Sequence, residues 1–246
     1  MTLRQYLKVI EKFIQDMLKK TGAQGYVIGL SGGVDSSLVS VLTRKALGKD
    51  KILGVIIPIE SNPADLLDAM EIARVFDIET VIFDATEIYH GYMDVFLKNN
   101  EVIDKSTFGN LKARIRMSVL YAYAQARKSL VLGTDNADER YTGYFTKWGD
   151  GSADLLPIAH LTKGEVVEAS KILGVPTRLA ERVPSAGLFQ GQTDEKEMGV
   201  KYKDLDAYLL GKKVEPKVAE RIEYLHTISE HKRKPIPTPK AFNRGK

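Results

Sequence analysis

The sequence predicts an α/β fold, an open, mostly parallel, doubly wound sheet with helical layers on both faces. Three observations lead there. Short apolar runs alternate with amphipathic segments at the spacing of strand–helix–strand units. Each run is continuous rather than alternating, as in strands covered on both faces. The 246 residues, with the apolar and charged fractions of an ordinary globular protein, suffice for one full core.

An amphipathic helix opens the chain, with Leu3, Leu7, Ile10, Phe13, Ile14, Met17 and Leu18 on one face, and Gly22 and Gly25 end it. The first strand is Tyr26-Val27-Ile28-Gly29-Leu30, followed by a Ser/Gly loop and a helix through Leu38, Val39, Leu42 and Ala46. The second strand, Ile52 to Ile57, stops at Pro58. A helix over Pro63–Phe76, with proline in its first turn, precedes a strand at Thr80-Val81-Ile82-Phe83 and a helix over Glu87–Leu97. Leu111, Ile115, Val119 and Ala122 mark a long helix opened by Gly109, and Ser129 to Gly133 is the fourth strand. Beyond it, 142–155 and 184–201 are Gly-, Asp-, Thr- and Ser-rich and read as loops, which at that length are functional or disordered. Residues 1–236 are expected to form a single domain, and Pro235, Pro237 and Pro239 leave 237–246 as a mobile tail.

Composition excludes several classes. With no cysteine there are no disulfides, thiolate metal sites or cysteine nucleophiles. No apolar run approaches a membrane span and the first twenty residues do not resemble a signal peptide, so the expected compartment is the cytoplasm. A net charge of +4 suits nucleotides as readily as nucleic acid. The densest basic run, Lys232-Arg233-Lys234, is too short to be a nucleic-acid arm, so neither nucleic acid nor membrane is an expected partner.

The chemistry begins at Ser31-Gly32-Gly33-Val34-Asp35-Ser36-Ser37, between the first strand and its helix. That turn lies at the carboxyl edge of the sheet, where ligands bind in such folds. Its glycines let successive N–H groups approach an anion, and the helix N-terminus adds unpaired amides and its dipole. A plain strand-to-helix turn would need neither the aspartate nor the flanking serines. The loop lacks the lysine of a Walker A motif, and Asp35 beside a polyphosphate needs a bridging cation, which points to Mg²⁺.

This pattern resembles the SGGxDS pyrophosphate loop of the adenine-nucleotide α-hydrolases, Rossmann-like enzymes that cleave ATP between its α and β phosphates. Further motifs follow in order: Gly109-Asn110-Leu111-Lys112-Ala113-Arg114-Ile115-Arg116, Gly133-Thr134-Asp135-Asn136-Ala137-Asp138-Glu139, Thr146 to Asp154, Lys163 at a helix start, and Pro184-Ser185-Ala186-Gly187-Leu188 running to Glu195. The ordered set, over residues 1 to 236, resembles ammonia-dependent NAD synthetase. By that resemblance Gly29, Leu30, Ser31, Gly32, Gly33, Val34, Asp35 and Ser36 hold ATP together with Thr134, Lys163 and Ser185. Asp35 and Glu139 become Mg²⁺ ligands. Asn110, which shares a helix face with Arg114, joins Arg114, Lys147, Asp154, His231 and Lys232 around deamido-NAD. Asp35, Glu139, Lys163 and Asp154 are the catalytic candidates, Asp154 as a possible base for the ammonia step. Ser185 stands where threonine is often found and keeps the hydroxyl. Residues 185–197 are expected to form a lid.

The implied reaction is ATP-dependent amidation of deamido-NAD through an acyl-adenylate, giving NAD, AMP and pyrophosphate. With neither a cysteine nor length for a second catalytic domain, no glutaminase is expected within the chain, so ammonia must arrive free or from a separate protein. The resemblance also implies a homodimer. Other enzymes with this loop, such as a GMP synthetase ATPase domain or a tRNA-thiolating enzyme, would need different following motifs, cysteines or a nucleic-acid domain. A regulator that binds nucleotide without turnover would have no use for two acidic metal ligands.

Overall fold

Four apolar runs become four parallel strands: β1 (Tyr26–Gly29), β2 (Ile52–Ile56), β3 (Glu79–Ile82) and β4 (Leu130–Leu132), in the order β3-β2-β1-β4. The computed structural model describes residues 1–99, 104–184 and 193–244. Tyr26 faces Ile52 on one side and Leu130 on the other, and Leu53 faces Glu79. The chain lays β2 and β3 to one side of β1, then crosses to place β4 on the other. The order therefore reverses between β1 and β4, and this switch point is where open α/β sheets bind ligands.

Side-chain alternation along β1 feeds two cores. Tyr26 and Ile28 face one, built with Leu7, Ile10 and Ile14 of α1 (Leu3–Thr21), Leu38 and Leu42 of α2 (Val34–Leu47), Ile72 of α3 (Pro63–Val75) and Val166 of α7 (Lys163–Ile172). Val27 faces the other, with Val55, Tyr89 of α4 (Thr86–Lys98), Ile115 and Val119 of α5 (Lys105–Ala126) and Val131. Helices thus cover both faces, the doubly wound arrangement that the sequence predicts. A third, smaller cluster joins Met198, Tyr202, Leu205 and Ile222 from α9 (Asp194–Met198), α10 (Tyr202–Leu209) and α11 (Pro216–Ile228). Two short helices, α6 (Ala137–Thr142) and α8 (Thr177–Ala180), complete the order.

Local chemistry sets the boundaries. Thr2 and Gln5 form a reciprocal capping box at the start of α1, and Gly22 ends it at φ 70°. Asn62 caps α3 ahead of Pro63. The long helix departs from expectation: the Asp104 carboxylate accepts the Thr107 N–H at 2.6 Å, so α5 starts at Lys105 and Gly109 lies buried inside it. A second departure is β3, which lies at the sheet edge with Glu79 and Ile82 exposed rather than covered on both faces. No helix among the described residues is long and apolar enough to cross a membrane. Residues 235–244 carry no helix or strand and are exposed.

Candidate active site

The phosphate loop leaves β1 with the Leu30 N–H donating to the Val55 carbonyl at 2.9 Å. Gly32 has φ 79°, and a Cβ there would lie 2.5 Å from the Asp65 carbonyl oxygen, so glycine is required twice over. The hydroxyls of Ser36 and Ser37 turn back onto the Gly33 carbonyl at 3.1 and 2.7 Å, and Ser31 meets Ser36 at 3.0 Å. These serines stiffen the loop rather than projecting from it. No side chain caps α2, so its first-turn amides keep their capacity for an anion.

Asp35, in that first turn, is held across the switch point. Its Oδ1 accepts from Asn136 Nδ2 at 2.9 Å, and its Oδ2 accepts from Lys163 Nζ at 2.5 Å. Lys163 also donates to Glu139 Oε1 at 3.4 Å. Glu139 belongs to a capping box with Asn136 at the start of α6, so one local motif both begins the helix and aims the carboxylate. The Lys163 side chain is only 6% exposed. Burial lowers its pKa, but Asp35 and Glu139 outweigh that and hold the ammonium above its ordinary range. Burial, and then the Asp35 charge, push the Glu139 carboxyl up.

Two further carboxylates, Asp138 inside the Gly133–Glu139 motif and Asp206 with no sequence signature, set the position of Lys163. Asp138 Oδ2 accepts the Lys163 N–H at 2.6 Å, and Asp206 Oδ2, from α10, accepts the Gly164 N–H at 3.0 Å. A Cβ on Gly164 would lie 2.5 Å from that same Asp206 oxygen. Asp194 and Tyr202 stand close by: the Tyr202 hydroxyl donates to Asp194 at 3.0 Å, and Lys163 Nζ lies 5.1 Å from the Tyr202 ring centre.

A second group gathers at the 143–152 loop. The Thr146 hydroxyl donates to Asn110 Oδ1 at 2.7 Å, and Arg114 Nη2 donates to the Lys147 carbonyl at 3.4 Å. Lys147 Nζ reaches the His231 carbonyl at 2.7 Å, and Lys232 Nζ binds the Gly143 and Phe145 carbonyls at 2.7 and 2.6 Å. Among the described residues, none of these three cations makes a salt bridge to a carboxylate, although Asp150 lies near enough to act on the half-buried Lys232.

The remaining expected residues divide. Thr134 is half-buried between β4 and α6. The structure does not bring Asp154 into the Asp35–Glu139–Lys163 group: its Oδ2 accepts the Val131 N–H at 2.7 Å and its Oδ1 the Tyr121 hydroxyl at 3.4 Å, which ties it to β4 and α5. Ser185, and most of the 185–197 span expected to form a lid, lie outside the described residues.

Other polar clusters border the site. Lys112, buried on α5, donates to Glu60 Oε2 at 2.8 Å, while His90 meets Glu60 Oε1 at 2.9 Å. Arg116 donates to the Ile57 carbonyl at 3.1 Å and the Ser61 hydroxyl at 3.2 Å, so two cations one turn apart fasten the loop after β2. Arg178 and Arg182 both bind the buried Asp68, and also Glu71 and Asp65 respectively, clasping α3 behind Gly32.

The NAD synthase family model matches residues 6–236. An NH(3)-dependent NAD(+) synthetase from Mesoplasma florum is 43% identical, covering 99% of this chain and 100% of the relative. Among solved structures, an NMN synthetase from Francisella tularensis is 40% identical with a TM-score of 0.92, covering 98% of this chain and 100% of that one. An NH3-dependent NAD synthetase from Campylobacter jejuni is 30% identical with a TM-score of 0.78, covering 99% and 100%. With ATP-type phosphate loop, acidic pair and buried lysine meeting at the switch point, this chain belongs to the NAD synthase family, and is an ammonia-dependent ligase that forms a C–N bond.

Proposed function

We propose that the chain amidates deamido-NAD with free ammonia in the cytoplasm, using the Asp35–Asn136–Glu139–Lys163 group to hold Mg-ATP. The observation that carries this reading is the convergence of two carboxylates and an ammonium beside the phosphate loop. Asp35 and Glu139 offer hard oxygen donors to one positive centre, the donor chemistry that suits Mg²⁺. When bound, Mg²⁺ offsets charge on the phosphate oxygens.

A carboxylate resists ammonia because oxide would have to leave. Adenylation removes that obstacle. A nicotinate oxygen attacks the α-phosphorus of ATP and pyrophosphate departs; ammonia then attacks the acyl carbon, AMP leaves with the bonding pair, and the amide nitrogen loses its extra proton to solvent or a nearby base. The chain's part is positioning and charge: α2 amides and Lys163 hold phosphate oxygens, while Arg114 and Lys147 hold the acceptor. Asp154, tied to β4 and α5, is the less favoured base for the ammonia step. Thr134 and Ser185 fall to ATP, and Asn110, Asp154, His231 and Lys232 to the acceptor, by family resemblance.

A homodimer is supported by Ile88, Tyr92 and Val95, an exposed apolar stripe at helical spacing on α4, together with exposed Ile82 on the edge strand β3. The similarity to an NMN synthetase favours one second reading, in which the acceptor is the corresponding mononucleotide. One assay decides between them. Given Mg-ATP and ammonium, deamido-NAD should yield NAD, AMP and pyrophosphate in equal amounts; faster turnover of nicotinate mononucleotide would favour the second reading, and ADP as product would refute both. Sedimentation at working concentration tests the dimer.

A further inference from the structure

Four described non-glycine residues have positive φ: Glu60, Asp77, Lys128 and Trp148. Trp148, at φ 62°, is the bulky aromatic among them, for which that conformation is an outlier. It occupies the third position of a turn in which the Gly149 N–H donates to the Thr146 carbonyl at 2.9 Å, a position where positive φ ordinarily selects glycine or asparagine. The neighbouring glycine serves another purpose, since a Cβ on Gly149 would approach Thr146 at 2.9 Å and Ala113 at 3.0 Å.

Holding a side chain in this region costs about 1–2 kcal/mol. Burial does not offset it, because Trp148 is 54% exposed. The turn is nevertheless firmly built: the Asp150 carboxylate accepts the Thr146 N–H at 3.0 Å, and the Gly151 and Ser152 amides bond back to Thr146 and Gly149. A strained residue maintained by its surroundings and presented to solvent is characteristic of a ligand contact. Its setting indicates which ligand. Lys147 Nζ lies 5.5 Å from the indole centre, and Arg114 is bonded to the Lys147 carbonyl. A flat π face beside cations without carboxylate partners matches a heteroaromatic ring joined to phosphate.

We propose that Trp148 is a stacking platform for a heterocyclic base of the acceptor nucleotide, with Lys147 and Arg114 taking its phosphate. The inference rests on the reading of those two cations as acceptor residues, and adds to it a base-recognition surface. Stacking on an indole is indifferent to base identity, so this contact supplies affinity while hydrogen bonds elsewhere supply discrimination.

Trp148 is the chain's single tryptophan, so its fluorescence reports on this position alone. Deamido-NAD titrated into the full-length protein should quench it, in step with binding measured independently by calorimetry. Trp148→Ala should weaken acceptor binding about tenfold, as expected for one lost stacking contact, with the KM for ATP unchanged, and Trp148→Phe should restore most of the loss. Trp148→Gly relieves the backbone, so it should melt at a higher temperature than the wild type while binding acceptor as poorly as the alanine variant. Calorimetric binding with a silent indole, or Trp148→Gly binding acceptor as well as the wild type, overturns the proposal and leaves the cation reading standing. Absence of any deamido-NAD binding overturns both.

Discussion

The two polar groups at the carboxyl edge handle charge in opposite ways. Around Lys163 the charges are largely withdrawn from solvent and paired: one ammonium, two carboxylates and an asparagine bond to each other over distances of 2.5 to 3.4 Å. Around Lys147 the cations are more open and rest on backbone carbonyls, with no salt bridge to a carboxylate among the described residues. Buried ion pairs are costly to break, because the survivor is left with an uncompensated charge. Cations on carbonyls can exchange those bonds for phosphate oxygens at little cost. The first region is thus pre-organised for chemistry, and the second is poised for exchange with a ligand.

Lys163→Met breaks the comparison most forcefully. It leaves Asp35 and Glu139 facing each other, so stability should fall by about 3–5 kcal/mol and turnover by at least about a hundredfold. Adding Asp35→Asn should recover much of the stability, read by denaturant melts, but none of the activity. If the double variant is no more stable than the single, charge isolation is not the cause. On the open side, Lys147→Ala should raise the KM for acceptor about tenfold, the scale of one charge-assisted hydrogen bond, and change stability by less than about 0.5 kcal/mol. A large loss of stability there would erase the contrast.

Smaller effects sharpen it. Asp206→Ala removes the acceptor of the Gly164 N–H and should cost about 1 kcal/mol, as for a lost helix cap. Asp206→Asn keeps an acceptor oxygen and should restore most of that stability; if it matches the alanine variant, the bond to Gly164 is irrelevant. The smallest effect is at Glu60, whose carboxyl is held below its ordinary 4.5 first by the hydrogen bond from Lys112 and then by that from His90. A depressed folded pKa means stability that is full above the ordinary value and lost as pH falls through the lowered one. Glu60→Gln should therefore narrow the stability difference between neutral pH and pH 3, and equal acid sensitivity in wild type and variant would refute this.

How much was legible from sequence follows from how local each signal is. The strands, the phosphate loop and the start of α7 at Lys163 are written in consecutive residues, and the structure has them where periodicity and glycines indicate. Even the start of α5, four residues ahead of Gly109, has a local clue, since Asp104 with Thr107 three residues on is a helix cap. The supporting carboxylates are different. Asp206 meets Gly164 across 42 residues, and Arg182 meets Asp65 across 117, and nothing near either partner announces the other. Exposure of β3 was likewise hidden, because an edge strand and a central one can share the same apolar run.

The short helix α6 has one further consequence. At its first end Asn136 grips Asp35; just past its last residue, the Gly143 carbonyl takes Lys232. Six helical residues span about 9 Å at the usual rise. The helix therefore works as a gauge block, fixing the spacing between the proposed ATP site and the proposed acceptor site. Inserting a single residue would lengthen it by about 1.5 Å and turn one end by about 100° against the other. Each half of the enzyme would keep its own residues intact, and the two would no longer meet.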